Sequence, residues 1–344
     1  MDSGILQNQP FEFKGNASDF FAIWFVNVVL TIITLGIYGA WAKVRTNHYI
    51  YGNTYLGGHA FEYTANPVKI LIGRLIVVGV YAVFFIASEL GFFEVAGIVF
   101  ILFALLIPLL IRQALVFRAK YTRFHGLNFR YRATVGDFYK FFLLHGFLNL
   151  ITIGIIFPYT HCEFKKLVFD NTYYGDSNLN FFGKASEFFF IYYIKMLLLS
   201  FAFFVMVGLL TVIAVPFFKV VPAVSVLLGI MIYFIVILFS FVLRGSLEAW
   251  IGRAVYNNVS IKEYKMLNEW IAAKLSWIYL SNFFAIVFSF GLLYPWTKIR
   301  TIRYKLENMG FETLNLGVFT GQIEQNRSAI GEEAADFFDF DIGF

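Results

Sequence analysis

Long apolar runs separated by short polar, aromatic-rich passages set the pattern of this chain. Seven runs come close to or reach the roughly 20 residues that cross a ~30 Å hydrocarbon core. They lie at about 20–38, 70–88, 95–111, 138–157, 188–215, 220–243 and 277–294. A polar lead, FEFKGNASDFF, enters the first run. After it, GNTYLGGHAFEY alternates and is punctuated by glycine, so it reads as strand-like. Arg74 can snorkel at the entrance of the second run. Glu89 and Glu94 bracket the turn before the third, and a mixed-charge amphipathic stretch, 244–274, precedes the last.

A unit recurs at the exits of three runs. Thr34–Gly58 reads TLGIYGAWAKVRTNHYIYGNTYLGG. Shifted by 118 residues, Thr152–Asp176 shares seven of its 25 positions, and shifted by 255, Ser289–Thr313 also shares seven. The fold expected is an all-α integral membrane protein of about seven transmembrane helices, with an internal repeat and short strand-like interfacial segments. Its divisions fall at 1–19 (polar segment), 20–133 and 134–275 (two three-span repeats), 276–319 (seventh span and third unit) and 320–344 (acidic tail).

Composition agrees with this class. Hydrophobic residues are 59% and charged residues 14%, against about 25% charged in soluble domains. Aromatics are 21%, with Trp24, Trp41, Tyr159, Trp277 and Trp296 gathered at span ends as an interfacial belt. A single cysteine, Cys162, excludes an internal disulfide. The net charge of +5 is accounted for by membrane flanks, so no nucleic-acid partner is expected.

Loop charges set the expected orientation. With seven spans, the basic residues after spans one, three and seven share a side, and the acidic 89–94 turn lies opposite. The positive-inside rule then puts the N-terminus in the periplasm and the C-terminus in the cytoplasm. Arg253, Lys262 and Lys265 vote against this. If the like units share a side, one segment must be re-entrant.

The F-x-F-x-G lead (Phe11 to Gly15), the TLGIY-x-x-WAKVR core and the N-T-x-L-x-G-x-x-F-x-Y follow-on occur in order. Together they resemble the YjgN-like family of bacterial inner-membrane proteins, defined by a domain of unknown function. The resemblance implies a multi-pass inner-membrane protein and brings no activity, substrate or cofactor with it. The second unit departs from the pattern, carrying His161 and Glu163 where the first has Lys43 and Arg45.

Familiar catalytic and nucleotide motifs are missing from the sequence. The five histidines lack metal-ligand spacing, and His161-Cys162-Glu163 reads as an interfacial loop rather than a metal or thiol site. No cofactor and no metal are expected. Intramembrane polar residues carry more weight, because hydrocarbon makes them costly. Asn27, His145 and Asn282 precede Thr34, Thr152 and Ser289 by seven residues, nearly two helical turns, so each pair shares a face; Asn149 extends the face of His145. They line a polar path or act as interhelical hydrogen-bond glue. Lys195 is the most misplaced charge, and it either snorkels or pairs with Glu187 or Glu89. Trp41, Lys43, Arg45, Trp296, Lys298, Arg300 and Arg303 read acidic headgroups or simply anchor the chain.

The leading expectation is a transporter or channel-like protein for a small solute or lipid, with a water-filled midplane cavity as its mark. The alternative is an envelope scaffold that binds anionic lipid and, through its acidic tail, a protein partner. That reading expects a solid bundle with basic surface grooves. A membrane-embedded enzyme ranks third, for want of a nucleophile–base or metal set.

Overall fold

The computed structural model describes residues 7–218 and 222–313. The strands and helices follow one order five times among these residues, strand–helix–helix–strand. The first unit is β1 (Gln7–Phe13), α1 (Ala17–Ile33), α2 (Gly39–Gly52) and β2 (Thr54–Leu56); the second is β3 (His59–Tyr63), α3 (Pro67–Glu89), α4 (Phe93–Lys120) and β4 (Thr122–Phe124). The third is β5 (Leu127–Tyr131), α5 (Val135–Ile151), α6 (Phe157–Asp170) and β6 (Thr172–Tyr174). The fourth is longer, with β7 (Ser177–Phe181), α7 (Ala185–Phe189), a π-helical turn (Phe190–Lys195), α8 (Met196–Phe218), α9 (Pro222–Tyr256) and β8 (Val259–Ile261). The fifth closes with β9 (Tyr264–Asn268), α10 (Ala272–Phe288), α11 (Tyr294–Glu307) and β10 (Met309–Thr313).

The ten strands form a closed antiparallel barrel, sealed where β1 pairs with β10. The expected all-α class is therefore corrected to helical hairpins standing on a small barrel. GNTYLGGHAFEY does form strands, β2 and β3, as its alternation predicts. Inward side chains fill the barrel: Phe11, Leu56, Phe124, Tyr174 and Ile261 are buried together, with Phe61, Phe129 and Phe311 against them. The Phe61 and Phe124 rings lie 4.5 Å apart and those of Phe129 and Tyr174 4.9 Å apart. Each such side chain gains about 1.5–3 kcal/mol on burial, so the interior is a core and not a pore. The Tyr174 hydroxyl donates to the Phe124 carbonyl at 3.0 Å, and burial pushes its pKa upward.

Each unit is locked to the barrel in the same way. The strand-end residue at 13, 63, 131, 181 or 268 is buried, and seven residues later so is Phe20, Ile70, Phe138, Phe188 or Leu275. The amide after each strand end donates to the carbonyl at the end of the same hairpin. These bonds run Lys14 to Asn53, Thr64 to Tyr121, Arg132 to Asn171, Phe182 to Asn258 and Glu269 to Asn308, all at 2.8–3.0 Å. Side-chain caps start several helices, including Asn16 on the Asp19 amide and Asn66 on the Val68 amide. Neighbouring hairpins touch around a ring: α2 on α3, α4 on α5, α6 on α7, α9 on α10, and α11 back on α1.

Where seven spans are expected, the described residues hold four helices long and apolar enough to cross a membrane: Pro67–Glu89, Phe93–Lys120, Ala185–Val212 and Val226–Tyr256. The runs at 20–38, 138–157 and 277–294 are instead three matched hairpins of 17 and 14 residues. At 1.5 Å per residue their helices reach only about 25 and 21 Å, short of a ~30 Å core. The chain turns back at an apolar tip, so a hydropathy window reads helix and turn as one span. At the tips Leu35, Ile153 and Phe290 adopt left-handed backbone, φ 50°, 51° and 51°, each followed by a glycine with positive φ. The glycine amide donates to the carbonyl five residues back, Gly36 to Thr31 at 2.8 Å, Gly154 to Asn149 at 2.7 Å and Gly291 to Ile286 at 2.8 Å.

The expected opposite placement of the two ends finds no support. Gln9 lies opposite Phe311 in the β1–β10 ladder, so both ends of the described chain lie in one barrel. The like units share a side because every hairpin leaves the barrel and returns to it. The boundaries expected at 133 and 275 fall at the start of α5 and inside α10, and one continuous barrel joins the parts they divide. The acidic tail at 320–344 lies outside the described residues.

Candidate functional site at the membrane interface

The polar register is used up mostly inside each hairpin. Asn27 Nδ2 donates to the Ala42 carbonyl at 3.4 Å, joining α1 to α2. Asn149 Nδ2 donates to Thr160 Oγ1 and to the His145 carbonyl, both at 2.7 Å, joining α5 to α6. Asn282 Nδ2 donates to Thr301 Oγ1 at 2.9 Å and to the Thr297 carbonyl at 3.3 Å, joining α10 to α11. Asn27, His145 and Asn282 are all buried, and Asn27 Oδ1, His145 Nε2 and Asn149 Oδ1 are without a hydrogen-bond partner. The hydroxyls cap the tips. Thr34 Oγ1 accepts from the Tyr38 amide at 2.9 Å, Thr152 Oγ1 from the Ile156 amide at 3.4 Å and Ser289 Oγ from the Leu293 amide at 3.0 Å.

The basic–aromatic residues are largely held by the protein. Arg45 Nη1 donates to the Tyr38 hydroxyl at 2.9 Å, and Tyr38 stacks on Trp41. Lys43 is half-buried on α2. Arg300, over Trp296, donates to Ser281 Oγ at 2.8 Å and to Asn282 Oδ1 at 3.2 Å. Arg303 donates to the Gly15 carbonyl at 2.8 Å, and Lys298 lies over the Phe20 ring. Cys162 is buried with its thiol toward the Gly183 carbonyl, while His161 Nδ1 lies 2.9 Å from the Tyr192 hydroxyl.

Lys195 stands apart from these. It ends the π-helical turn and lines a cavity of about 550 Å³ with Glu187, Trp250, Arg253 and Asn258. Its ammonium lies 5.3 Å from the Trp250 ring centroid and 5.6 Å from that of Phe190. Asn258 Nδ2 donates to Glu187 Oε2 at 3.3 Å and to the Ala254 carbonyl at 2.9 Å. Of the two carboxylates expected to meet Lys195, Glu187 shares its cavity; Glu89 ends α3 at the far end of its hairpin. The sequence reading missed that Lys195 belongs to the polar register. It follows Phe188 by seven residues, as Asn27 follows Phe20, His145 follows Phe138 and Asn282 follows Leu275. The interval keeps its seven residues, but the wider π turn spreads them over less rotation, a device that re-aims a side chain and is frequent at functional sites.

In the sequence Trp250 and Asn258 belong only to an amphipathic stretch, and Arg253 counts besides as a loop charge against the expected orientation. Their signal is the return of α9 to the barrel, which brings residues about 60 positions after Lys195 against it. Two cations, one carboxylate, two carboxamides (Asn257 and Asn258) and an indole in one cavity can hold a phosphate and an amine at once.

A model of the family described as "Bacterial protein of unknown function (DUF898)" matches residues 8–337. Inner membrane protein YjgN of Salmonella typhimurium (strain LT2) is 35% identical over 131 residues, covering 37% of this chain and 32% of that protein. Inner membrane protein YjgN of Escherichia coli (strain K12) is 28% identical over 150 residues, covering 44% of this chain and 38% of that protein. The matched part is therefore less than two-fifths of either relative. No solved structure matches. The relatives' names and the four long apolar helices support an inner-membrane location. Because the family model runs along nearly the whole chain, barrel strands and hairpins alike, the chain belongs to the DUF898 family of bacterial proteins of unknown function.

Proposed function

We propose that this inner-membrane protein is a lipid-holding scaffold, inserted from the cytoplasmic side, with its barrel at the cytoplasmic face. The observation that carries the reading is the filled barrel with an interfacial cavity beside it. The axis is closed by aromatic side chains, and the ligand-sized space lies against the side of a hairpin. The long hairpins α3/α4 and α8/α9 cross the bilayer, and the three short hairpins dip into it and return.

Charge supports the orientation. Between Arg74 and Arg112 the sequence has no Lys or Arg, and the intervening tip carries Glu89 and Glu94. The three short tips have none either, and between Lys195 and Arg244 the sequence has Lys219 alone. Arg123, Arg130, Lys262 and Lys265 lie in the barrel strands or their turns, with Lys14, Lys120 and Arg132 next to them. The positive-inside rule then puts the barrel in the cytoplasm.

Two measurements test the reading. In a Cys162→Ser background, a cysteine at Gly58 should label only from the cytoplasm, one at Gly91 only from the periplasm, and one at Ile153 from neither. Labelling of Gly91 from the cytoplasm overturns the orientation. Protein extracted in mild detergent should carry phospholipid through purification; lipid-free protein that remains folded overturns the scaffold.

A second reading, a path for a small solute, draws on the unpartnered buried atoms of Asn27, His145 and Asn149. Asn282→Leu, Asn27→Leu and His145→Leu test it.

A further inference from the structure

We infer that the cavity beside the π-helical turn is a site for a phosphoethanolamine headgroup, with Lys195 and Arg253 taking the phosphate and Glu187 the primary ammonium. The inference rests on the lipid-holding reading and specifies the ligand that the cavity would take.

Charge is the first argument. By count alone the two cations answer the ligand's phosphate and Glu187, so an amine is called for only where neither cation meets that carboxylate. Lys195 does not supply that answer. Its ammonium is held over the Phe190 and Trp250 rings, and no ion pair joins it to Glu187. Glu187 keeps one oxygen on Asn258, which fixes the carboxylate and leaves Oε1 for an N–H donor. A primary ammonium donates N–H bonds to a carboxylate, and a trimethylated one cannot. Trimethylammonium is recognised by open aromatic faces, and the Trp250 face is already engaged by Lys195.

Position is the second argument. Glu187 lies on α7 at the foot of the long hairpin, and Arg253 and Asn258 lie where α9 returns to the barrel. This is the polar end of an apolar hairpin, the level at which phospholipid headgroups sit. Just beyond Lys195, Leu197, Leu198 and Phe201 are exposed and offer an apolar track for acyl chains. The cavity volume of about 550 Å³ falls within the ~300–1,000 Å³ of small-molecule sites.

Conformation is the third. Asn27 and Asn282, at the equivalent position, reach across to the second helix of their hairpins for hydrogen bonds. In the fourth unit that position is a lysine preceded by a π turn, and its neighbour across the hairpin is Trp250 rather than a polar partner. The charge is thereby kept for something the protein itself does not provide.

The test uses the full chain in detergent, exposed to equimolar phosphatidylethanolamine, phosphatidylcholine and phosphatidylglycerol with identical acyl chains, and reads bound lipid by native mass spectrometry. Phosphatidylethanolamine should be retained about tenfold over phosphatidylcholine, the scale of one charge-assisted hydrogen bond. Glu187→Gln should erase that preference while leaving phosphate-dependent binding of all three lipids. Lys195→Met with Arg253→Gln should weaken all three by about tenfold or more. Thermal melts of each variant identify unfolded protein, and Glu187→Gln, exposed and isosteric, supplies the decisive comparison. Glycerophosphoethanolamine, the soluble headgroup, is the control for source; if it protects against heat as well as the lipid does, the ligand is a soluble phosphoamine and the lipid assignment falls. Equal retention of the ethanolamine and choline lipids by the wild-type chain overturns the inference while leaving the scaffold standing. Folded protein that retains no lipid overturns both.

Discussion

Gly245 of α9 lies so close to Ser276 of α10 that a Cβ on the glycine would come 2.4 Å from the Ser276 Cα. The next residue, Ser246, meets Ser276 through their hydroxyls at 3.1 Å, and Ser276 also donates to the Val242 carbonyl at 2.9 Å. Small residues bring the two backbones together, and hydroxyls satisfy each other across the contact. This contact joins the fourth hairpin to the fifth. Gly245→Ala should push the helices apart and destabilise the protein by about 1–3 kcal/mol, the usual cost of overpacking. Thermal melts in detergent check it; an unchanged melting temperature would mean that the helices do not approach this closely.

The tips of the short hairpins make a different prediction. Ile153 is 91% exposed at φ 51°, with Leu35 and Phe290 at 95% and 96% in the same conformation. Left-handed backbone costs a non-glycine residue about 1–2 kcal/mol, and β-branched isoleucine is a true outlier there. An apolar side chain held in that conformation is worth its strain where the tip meets lipid. Ile153→Gly should therefore raise the melting temperature in detergent while weakening protection of the tip from aqueous labelling in membranes. A lower melting temperature would mean that the side chain packs against protein.

The start of α5 offers a test by pH. Thr134 Oγ1 and its amide both donate to Asp137 Oδ2 at 2.8 Å, and Thr134 Oγ1 accepts from the Asp137 amide at 3.2 Å. These bonds hold the Asp137 carboxyl below its ordinary 3.8. A depressed carboxylate contributes stability that is present above pH 3.8 and is lost as pH falls through the lowered value. Asp137→Asn should cost stability at pH 6, and the gap from wild type should close as pH drops below 3.8. Thr134→Ala should cost about 1 kcal/mol at neutral pH. A gap that persists in acid would assign the effect to something other than the carboxylate.

Much of this molecule was legible in the sequence, and the hidden parts share physical causes. The long hairpins α3/α4 and α8/α9 were visible as apolar runs, since an apolar helix broken by a polar or proline-bearing turn reads unambiguously. The short hairpins were read as spans because TLGIYG, TIGIIFP and SFGLLYP turn the chain with apolar residues. Gly36, Gly154 and Gly291, with Pro158 and Pro295 in two of the three, were the signals of the reversal. The barrel was harder, as its strands are three to seven residues long and pair with neighbours across whole hairpins. The fourth unit escaped the register because its helices run on well past the length of the short pairs. Yet Phe181, Phe188 and Lys195 keep the seven-plus-seven spacing of Phe13, Phe20 and Asn27. The cavity partners of Lys195 could not be found by spacing, since they arrive from the far arm of the hairpin.

The polar register gives the last prediction, which separates glue from path. Asn282 is tied on both sides, its amide to Thr301 and Thr297 and its oxygen to Arg300. Asn282→Leu removes those bonds and leaves Arg300 with Ser281 alone as its side-chain acceptor, at a cost of about 1–3 kcal/mol. Asn27 makes one long bond of 3.4 Å and leaves its oxygen without a partner, so Asn27→Leu should cost less. His145 Nδ1 lies 3.0 Å from the Phe141 carbonyl, an acceptor, and its buried Nε2 is unpartnered. His145→Leu exchanges that unanswered atom for an apolar one and should be near neutral. The scaffold reading therefore expects stability losses ranked Asn282, Asn27, His145, with lipid retention unchanged in all three. A solute path expects the reverse emphasis, because the group without a protein partner is the one free to meet a solute. In that case His145→Leu would abolish pH-dependent growth or uptake in a protein that melts like the wild type, and transport would displace the scaffold.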